Sequence, residues 1–216
     1  MNVGRHASNL LGKALRETGQ ALDRVGLTIT GVESFKSTLS RHRQIMPLGV
    51  DYAPNVSTVR TFIAPNASVV GRVTVAEGGS VWYSAVMRAD TESSSITIGK
   101  NTNIQDRSVL LAEGGVISIG DNVTVGHGAI MEGSISIGDF CLIGQGSILG
   151  KNTTVNAKSI VAAGAVVLPN TVVPSGQLWA GNPAKFIRDV KATEFATMEP
   201  QAKHYMALGE EHSKSF

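Results

Sequence analysis

The sequence predicts an all-β solenoid, a parallel β-helix built from hexapeptide repeats. Every sixth position from Ile119 to Trp179 is a large apolar residue, and the next position is small or turn-prone in most repeats. This pattern supplies one inward anchor and one corner in every six residues, so three repeats make a coil of about 18 residues. An antiparallel sandwich with chance spacing is the alternative, but two-residue alternation alone would not place a glycine beside each sixth anchor.

The hexad continues upstream to Ile63, with interruptions at Thr91–Ser95 and Glu113–Gly115 that we expect to be corner loops. Residues 18 apart should stack in ladders at a spacing of about 4.8 Å. The two ladders predicted are Val125, Ile143, Val161 and Trp179, and Ile119, Ile137, Val155 and Val173. The spacing leaves the hand of the coil open, and Trp179 is expected to close the end of the prism.

The remaining chain should form two helical arms. Leu11, Leu15, Thr18, Leu22 and Val25 share one face of an amphipathic N-terminal helix, which either packs on protein or docks on a membrane surface or a partner. A second short helix is expected around Phe35 and Leu39. At the other end, Thr193 is a candidate helix cap, and Pro200 should kink the helix or start a second one. The predicted organisation is an arm over 1–45, a linker over 46–62, a β-helix over 63–184, and a C-terminal helix and tail over 185–216.

Composition excludes several functions. The chain has 216 residues, a formal charge of +2 and 5% aromatic residues, so one aliphatic core is expected. No basic run with interleaved aromatic residues is present, which argues against nucleic-acid binding. No apolar stretch approaches the roughly 20 residues that span a bilayer. Cys141, the single cysteine, should be a buried, inert thiol, as fits a reducing compartment.

Four motifs within the repeats closely resemble gamma-class carbonic anhydrases. They are Val86–Asp90, Asn101–Asp106, Gly120–His127 and Pro174–Lys185. The resemblance implies a left-handed parallel β-helix assembled as a trimer. Two further segments, Arg16–Gly26 and Leu39–Arg43, resemble the N-terminal arm of the gamma carbonic anhydrase subunits of mitochondrial respiratory complex I in plants, algae and some protists.

The same resemblance implies where zinc ligands would lie. Active members hold zinc between two subunits with three histidines, and the matching positions here are Leu111, His127 and Glu132. Leucine cannot ligate a metal, and a catalytic zinc needs three protein ligands and an open position. We therefore expect no metal in a homotrimer. His127 is the one candidate ligand, and zinc is expected only at an interface with a partner subunit that supplies histidines.

Other polar residues match family positions near the metal or the interface. Arg88, Asp90, Gln105 and Asn182 are equivalent to residues around the catalytic centre, and without a metal we expect them to support the corner loops through hydrogen bonds. The resemblance also implies that Arg88 pairs with Asp106 across the subunit interface, because a buried charge is tolerated when it is paired.

These features predict that the chain is not an enzyme but a structural and assembly subunit without cofactor. The implied partners are other gamma carbonic anhydrase subunits in a trimer, expected to be a heterotrimer, and the membrane-arm subunits of complex I, with the N-terminal helix available for contact with the membrane surface. The implied location is the matrix side of the mitochondrial inner membrane. Two alternatives remain open: a zinc-dependent carbonic anhydrase active only at interfaces with histidine-complete partners, and a hexapeptide-repeat acyltransferase.

Overall fold

The computed structural model describes residues 44–46, 48 and 52–214, together with ten helical positions between 11 and 29. Two compact units result, residues 1–41 and 42–216. In the first unit the ten described positions are helical, and Leu11, Leu15, Leu22, Val25 and Ile29 are exposed. The second short helix expected around Phe35 and Leu39 and the polar residues of the first helix lie outside the described residues.

The second unit is a prism with three sheets, as the hexad predicts. The first sheet contains β1 (Ile45–Met46), β4 (Ser68–Gly71), β7 (Val86–Ala89), β10 (Val109–Leu111), β13 (Ile130–Glu132), β16 (Ile148–Leu149) and β19 (Val166–Val167). The second sheet contains β2 (Asn55–Val56), β5 (Val73–Val75), β8 (Ser95–Ile98), β11 (Val116–Ile119), β14 (Ile135–Ile137), β17 (Thr153–Val155) and β20 (Val172–Val173). The third sheet contains β3 (Phe62–Ile63), β6 (Ser80–Val81), β9 (Asn103–Ile104), β12 (Thr124–Val125), β15 (Leu142–Ile143), β18 (Ile160–Val161), β21 (Gln177–Ala180) and β22 (Lys185–Asp189).

Successive strands of each sheet come from successive coils, and their pairing is parallel except between β21 and β22. The architecture is the left-handed parallel β-helix. Both predicted ladders are present; for example, Val125 is in register with Ile143, and Ile143 with Val161. The glycines after the anchors allow the coils to approach closely: a Cβ on Gly126 would lie 2.5 Å from the backbone nitrogen of Gln145 in the next coil.

The prism is longer than the sequence predicts. Residues 46–62, predicted as a linker, contribute β2 and part of β1 and β3, with Val56 in register with Val75. Residues 185–189, assigned to the C-terminal helix and tail, form β22, which pairs antiparallel with β21. The interior is filled by buried aliphatic anchors. Trp179 packs half-buried at the end of its ladder and donates a hydrogen bond to Gln177.

A single C-terminal helix, Ala192–Ser213, packs on the third sheet. It begins at Ala192, so the prediction that Thr193 caps it is wrong: the Glu194 carboxylate accepts the backbone N–H of Lys191 instead. Pro200 lies inside the continuous helix, because Met198 and Ala202 are buried on either side of it and hold this turn against the prism. Among the described residues, no helix has the length and apolarity needed to span a membrane.

Candidate metal centre

The outer surface of the first sheet brings Arg88, Leu111 and Glu132 side by side. Leu111 in β10 is in register with Arg88 in β7 on one side and with Glu132 in β13 on the other. Each directly follows an inward anchor, so all three side chains point away from the core. Two of the three family ligand positions, Leu111 and Glu132, are therefore direct neighbours.

Lysine occupies the space beside Glu132. Lys151 Nζ lies 3.6 Å from Glu132 Oε1 and 3.6 Å from Glu113 Oε2. The three side chains are about half exposed, so the contribution of these ion pairs to stability is small. The positive charge nonetheless neutralises the carboxylate at this position.

The third family position lies at the corner between β12 and β13. His127 Nδ1 lies 2.8 Å from Asp106 Oδ2, and both side chains are partly exposed. Tyr83 and Gln145 line the same open cleft, together with Ser84 and Arg107. Tyr83, Asp106, His127 and Gln145 form a ladder, because each stands two residues after a stacked anchor of the third sheet.

Sequence reasoning identified Asp106 and His127 but missed Tyr83 and Gln145. The available signal is positional: the second residue after each third-sheet anchor faces this corner. Tyr83 also connects the corner to the C-terminal helix, since its hydroxyl lies 2.9 Å from Nδ1 of His212. Around this contact, Trp82 packs edge-on against Tyr205 with ring centroids 5.6 Å apart. Burial raises the pKa of Tyr205, and the nearby Asp106 charge adds to this effect.

The structure places the remaining predicted site residues apart from one another. Arg88 Nε lies 3.0 Å from Asp90 Oδ2 of its own chain. Gln105 is buried and donates to Asn103 Oδ1 at 3.1 Å, which fits the expected role of supporting the corner. Asn182 is exposed and precedes a cis peptide bond to Pro183. Since Asp106 contacts His127 in this chain, its pairing with Arg88 across an interface stays a prediction.

The residues present do not fit the zinc ion that such a site would hold. Zinc needs several nitrogen, sulfur or carboxylate oxygen ligands, and Leu111 has no donor atom. Glu132 is neutralised by Lys151, and His127 stands around the corner. Across the part of the chain that the structure describes, no three histidine, cysteine, aspartate or glutamate side chains gather to hold a metal.

The chain is 48% identical over 210 residues to gamma carbonic anhydrase 3, mitochondrial, of Arabidopsis thaliana, covering 94% of this chain and 80% of that protein. It belongs to the gamma carbonic anhydrase family. Gamma carbonic anhydrase 1 of the same plant is 41% identical over 210 residues, covering 94% of this chain and 74% of that protein. Gamma carbonic anhydrase-like 1 is 52% identical over 159 residues, which are 70% of this chain and 61% of that protein.

The relatives of this gamma carbonic anhydrase family member thus include proteins named as carbonic anhydrases and proteins named as carbonic anhydrase-like. Solved structures share the prism. A putative acetyltransferase from Bacillus cereus is 31% identical with a TM-score of 0.75, covering 80% of this chain and 98% of that chain. A hexapeptide transferase family protein from Anaplasma phagocytophilum is 36% identical with a TM-score of 0.71, covering 77% and 96%. No family model matches the chain.

Proposed function

We propose that this chain is a non-catalytic structural subunit of a gamma carbonic anhydrase trimer on the matrix side of the membrane arm of mitochondrial complex I. The observation that carries the proposal is the stack of Arg88, Leu111 and Glu132: the prism is complete while the ligand positions on its first sheet hold a leucine and a lysine-paired glutamate. The mitochondrial names of the relatives and the sequence of the N-terminal arm support the location and the partner.

The outer surfaces of the prism support a role in assembly. The helix covers the third sheet, and the outward row of the second sheet is hydroxyl-bearing, with Thr97, Ser118 and Ser136 exposed. The outward row of the first sheet is apolar, and Ile130 and Ile148 in it are each 41% exposed. An exposed apolar strip of this kind is typical of a protein interface.

Native electrophoresis of mitochondrial membranes tests this function. We expect the chain to comigrate with proton-pumping NADH dehydrogenase subunits, and its depletion to reduce that complex. The purified chain should hydrate CO2 no faster than the uncatalysed rate, with or without added zinc. Migration as a free trimer, or zinc-dependent CO2 hydration by the isolated chain, would contradict the proposal.

A second candidate function is zinc-dependent carbonic anhydrase activity at a mixed interface. The contact between Asp106 and His127 Nδ1 favours it, because a carboxylate beside one ring nitrogen is the usual support for a histidine that binds metal through the other. In a mixed trimer with histidine-complete partners we expect CO2 hydration that a chelator abolishes and zinc restores. The acyltransferase alternative predicts binding of coenzyme A, which calorimetry on the purified chain tests directly.

A further inference from the structure

The two halves of the candidate centre are in different states. On the first sheet, Leu111 offers no donor atom and Glu132 lies beside Lys151. At the corner, His127 keeps a carboxylate beside Nδ1, and within residues 52–214 no hydrogen bond reaches its Nε2 atom. One half has lost the chemistry for binding a metal, and the other half has kept it.

A metal at His127 needs ligands from a second chain, because the described part of this chain brings no three ligand-type side chains together. The apolar first sheet is the surface that a neighbouring subunit would cover. In a closed ring with heterologous contacts, each chain offers one surface to one neighbour and a different surface to the other. With the ring axis along the prism, residues of the same coil meet, and His127 and Glu132 belong to the same coil.

We infer that this chain is a one-sided zinc donor. It supplies His127 to a site whose other ligands are histidines on the first sheet of a partner with the same fold, and its own first sheet completes no site. The inference rests on the proposed mixed trimer. The partner is defined by its chemistry: it carries histidines at the positions that match Leu111 and Glu132, and a neutral imidazole from each would complete a three-nitrogen set with an open position.

This asymmetry fixes the zinc content of a mixed assembly. Each interface uses the first sheet of one chain and the corner of the next, and only interfaces that use a partner's first sheet can be filled. The number of zinc ions should therefore equal the number of histidine-complete partners in the trimer. One copy of this chain with two such partners should hold two ions, and two copies with one partner should hold one.

The test is coexpression of this chain with a family member that has all three histidines, followed by purification through tags on both chains. Native mass spectrometry gives the composition of each trimer, and elemental analysis gives the zinc bound. We expect His127→Gln to remove one zinc ion from each trimer that contains one copy of this chain. The matched control His204→Gln removes a histidine on the exposed face of the C-terminal helix and should leave the zinc count unchanged.

Each outcome decides between the two proposals. If His127→Gln forms mixed trimers with an undiminished zinc count, or if no mixed trimer assembles, the one-sided donor is wrong. Loss of zinc in trimers of unchanged composition supports it, because a merely structural histidine would not alter metal content. If trimers of this chain alone bind zinc, the non-catalytic proposal fails independently, since the same preparation then contains a complete site.

Discussion

Leu111 and Glu132 occupy neighbouring register positions on the outer surface of the first sheet, on adjacent coils of the prism. Strand spacing holds their Cα atoms about 4.8 Å apart, so two long side chains there can reach a common point. The backbone framework for a pair of ligands is therefore present, while the ligands themselves are not. This separation of framework and chemistry makes the site testable by restoration.

The double substitution Leu111→His and Glu132→His should create a zinc site in trimers of this chain alone, because His127 already supplies the third imidazole. We expect about one zinc ion per chain, and a stabilisation of about 2.7 kcal/mol when free zinc is a hundred times the dissociation constant. Elemental analysis and thermal unfolding with and without zinc measure this. The control Leu111→Ala with Glu132→Ala should bind no zinc; a double histidine variant without zinc would show that the framework differs.

The ladder of inward anchors should dominate the stability of the prism. Ile143 is fully buried between Val125 and Val161, so Ile143→Ala should lower the free energy of unfolding by about 2 to 5 kcal/mol. Urea denaturation at constant protein concentration measures the change. Val172→Ala, at an outward position of the second sheet that is 56% exposed, is the matched control and should cost well under 1 kcal/mol. Equal losses at both positions would refute the inward assignment.

The start of the C-terminal helix should confer stability that depends on pH. Arg188 donates to both Glu194 oxygens, and the Lys191 backbone N–H adds a further bond, which together lower the pKa of Glu194 from 4.5 to about 2. Because the folded pKa lies below the unfolded one, this contribution is present above about pH 4.5 and is lost as the pH falls toward 2.

Urea unfolding of Glu194→Gln across this pH range tests the sign. The variant should be less stable than the wild type above pH 4.5, and the difference should shrink on acidification. Glu199→Gln, which removes an exposed partner of Lys203, is the control and should show a much weaker dependence. A constant difference between Glu194→Gln and wild type at all pH values would contradict the assignment.

Cys141 should resist alkylation in the folded protein. The thiol is buried at a corner beside the core, as the sequence predicts, and burial raises its pKa from 9.0 to about 11. Thiolate is the reactive form, so iodoacetamide at pH 8 should label Cys141 slowly until urea unfolds the chain. Mass spectrometry follows the reaction, and a cysteine introduced by Ser136→Cys on the exposed row of the second sheet provides the reactive comparison. Rapid labelling of native Cys141 would show that the coils open.

The sequence allowed the prism to be predicted because its period is set by the backbone. Val125, Ile143 and Val161 recur at the coil length, and no other fold places inward residues at that interval. The first coil escaped because its spacing differs: Ile45 is in register with Val69, and Val56 with Val75, so neither pair keeps the hexad phase.

The helix and the corner were harder to predict for a different reason. Pro200 lowers intrinsic helix propensity, but burial of Met198 and Ala202 against the prism overrides it. Tyr83 and Gln145 resemble ordinary surface residues in sequence, and stacking alone brings them to the corner that holds Asp106 and His127. Contacts between coils carry information that a local pattern does not contain.

The coil spacing also limits how this gene can change length. From Ile143 to Val161 one coil takes 18 residues, whereas from Val86 to Val109 it takes 23 because a corner loop is longer. Deleting or duplicating a whole coil would join strands that remain in register, and lengthening a corner would leave the sheets intact. A deletion of one residue within a strand would turn anchors outward along the rest of that face. Evolution of such a chain should proceed by whole coils and corner loops, with strand interiors nearly closed to insertion and deletion.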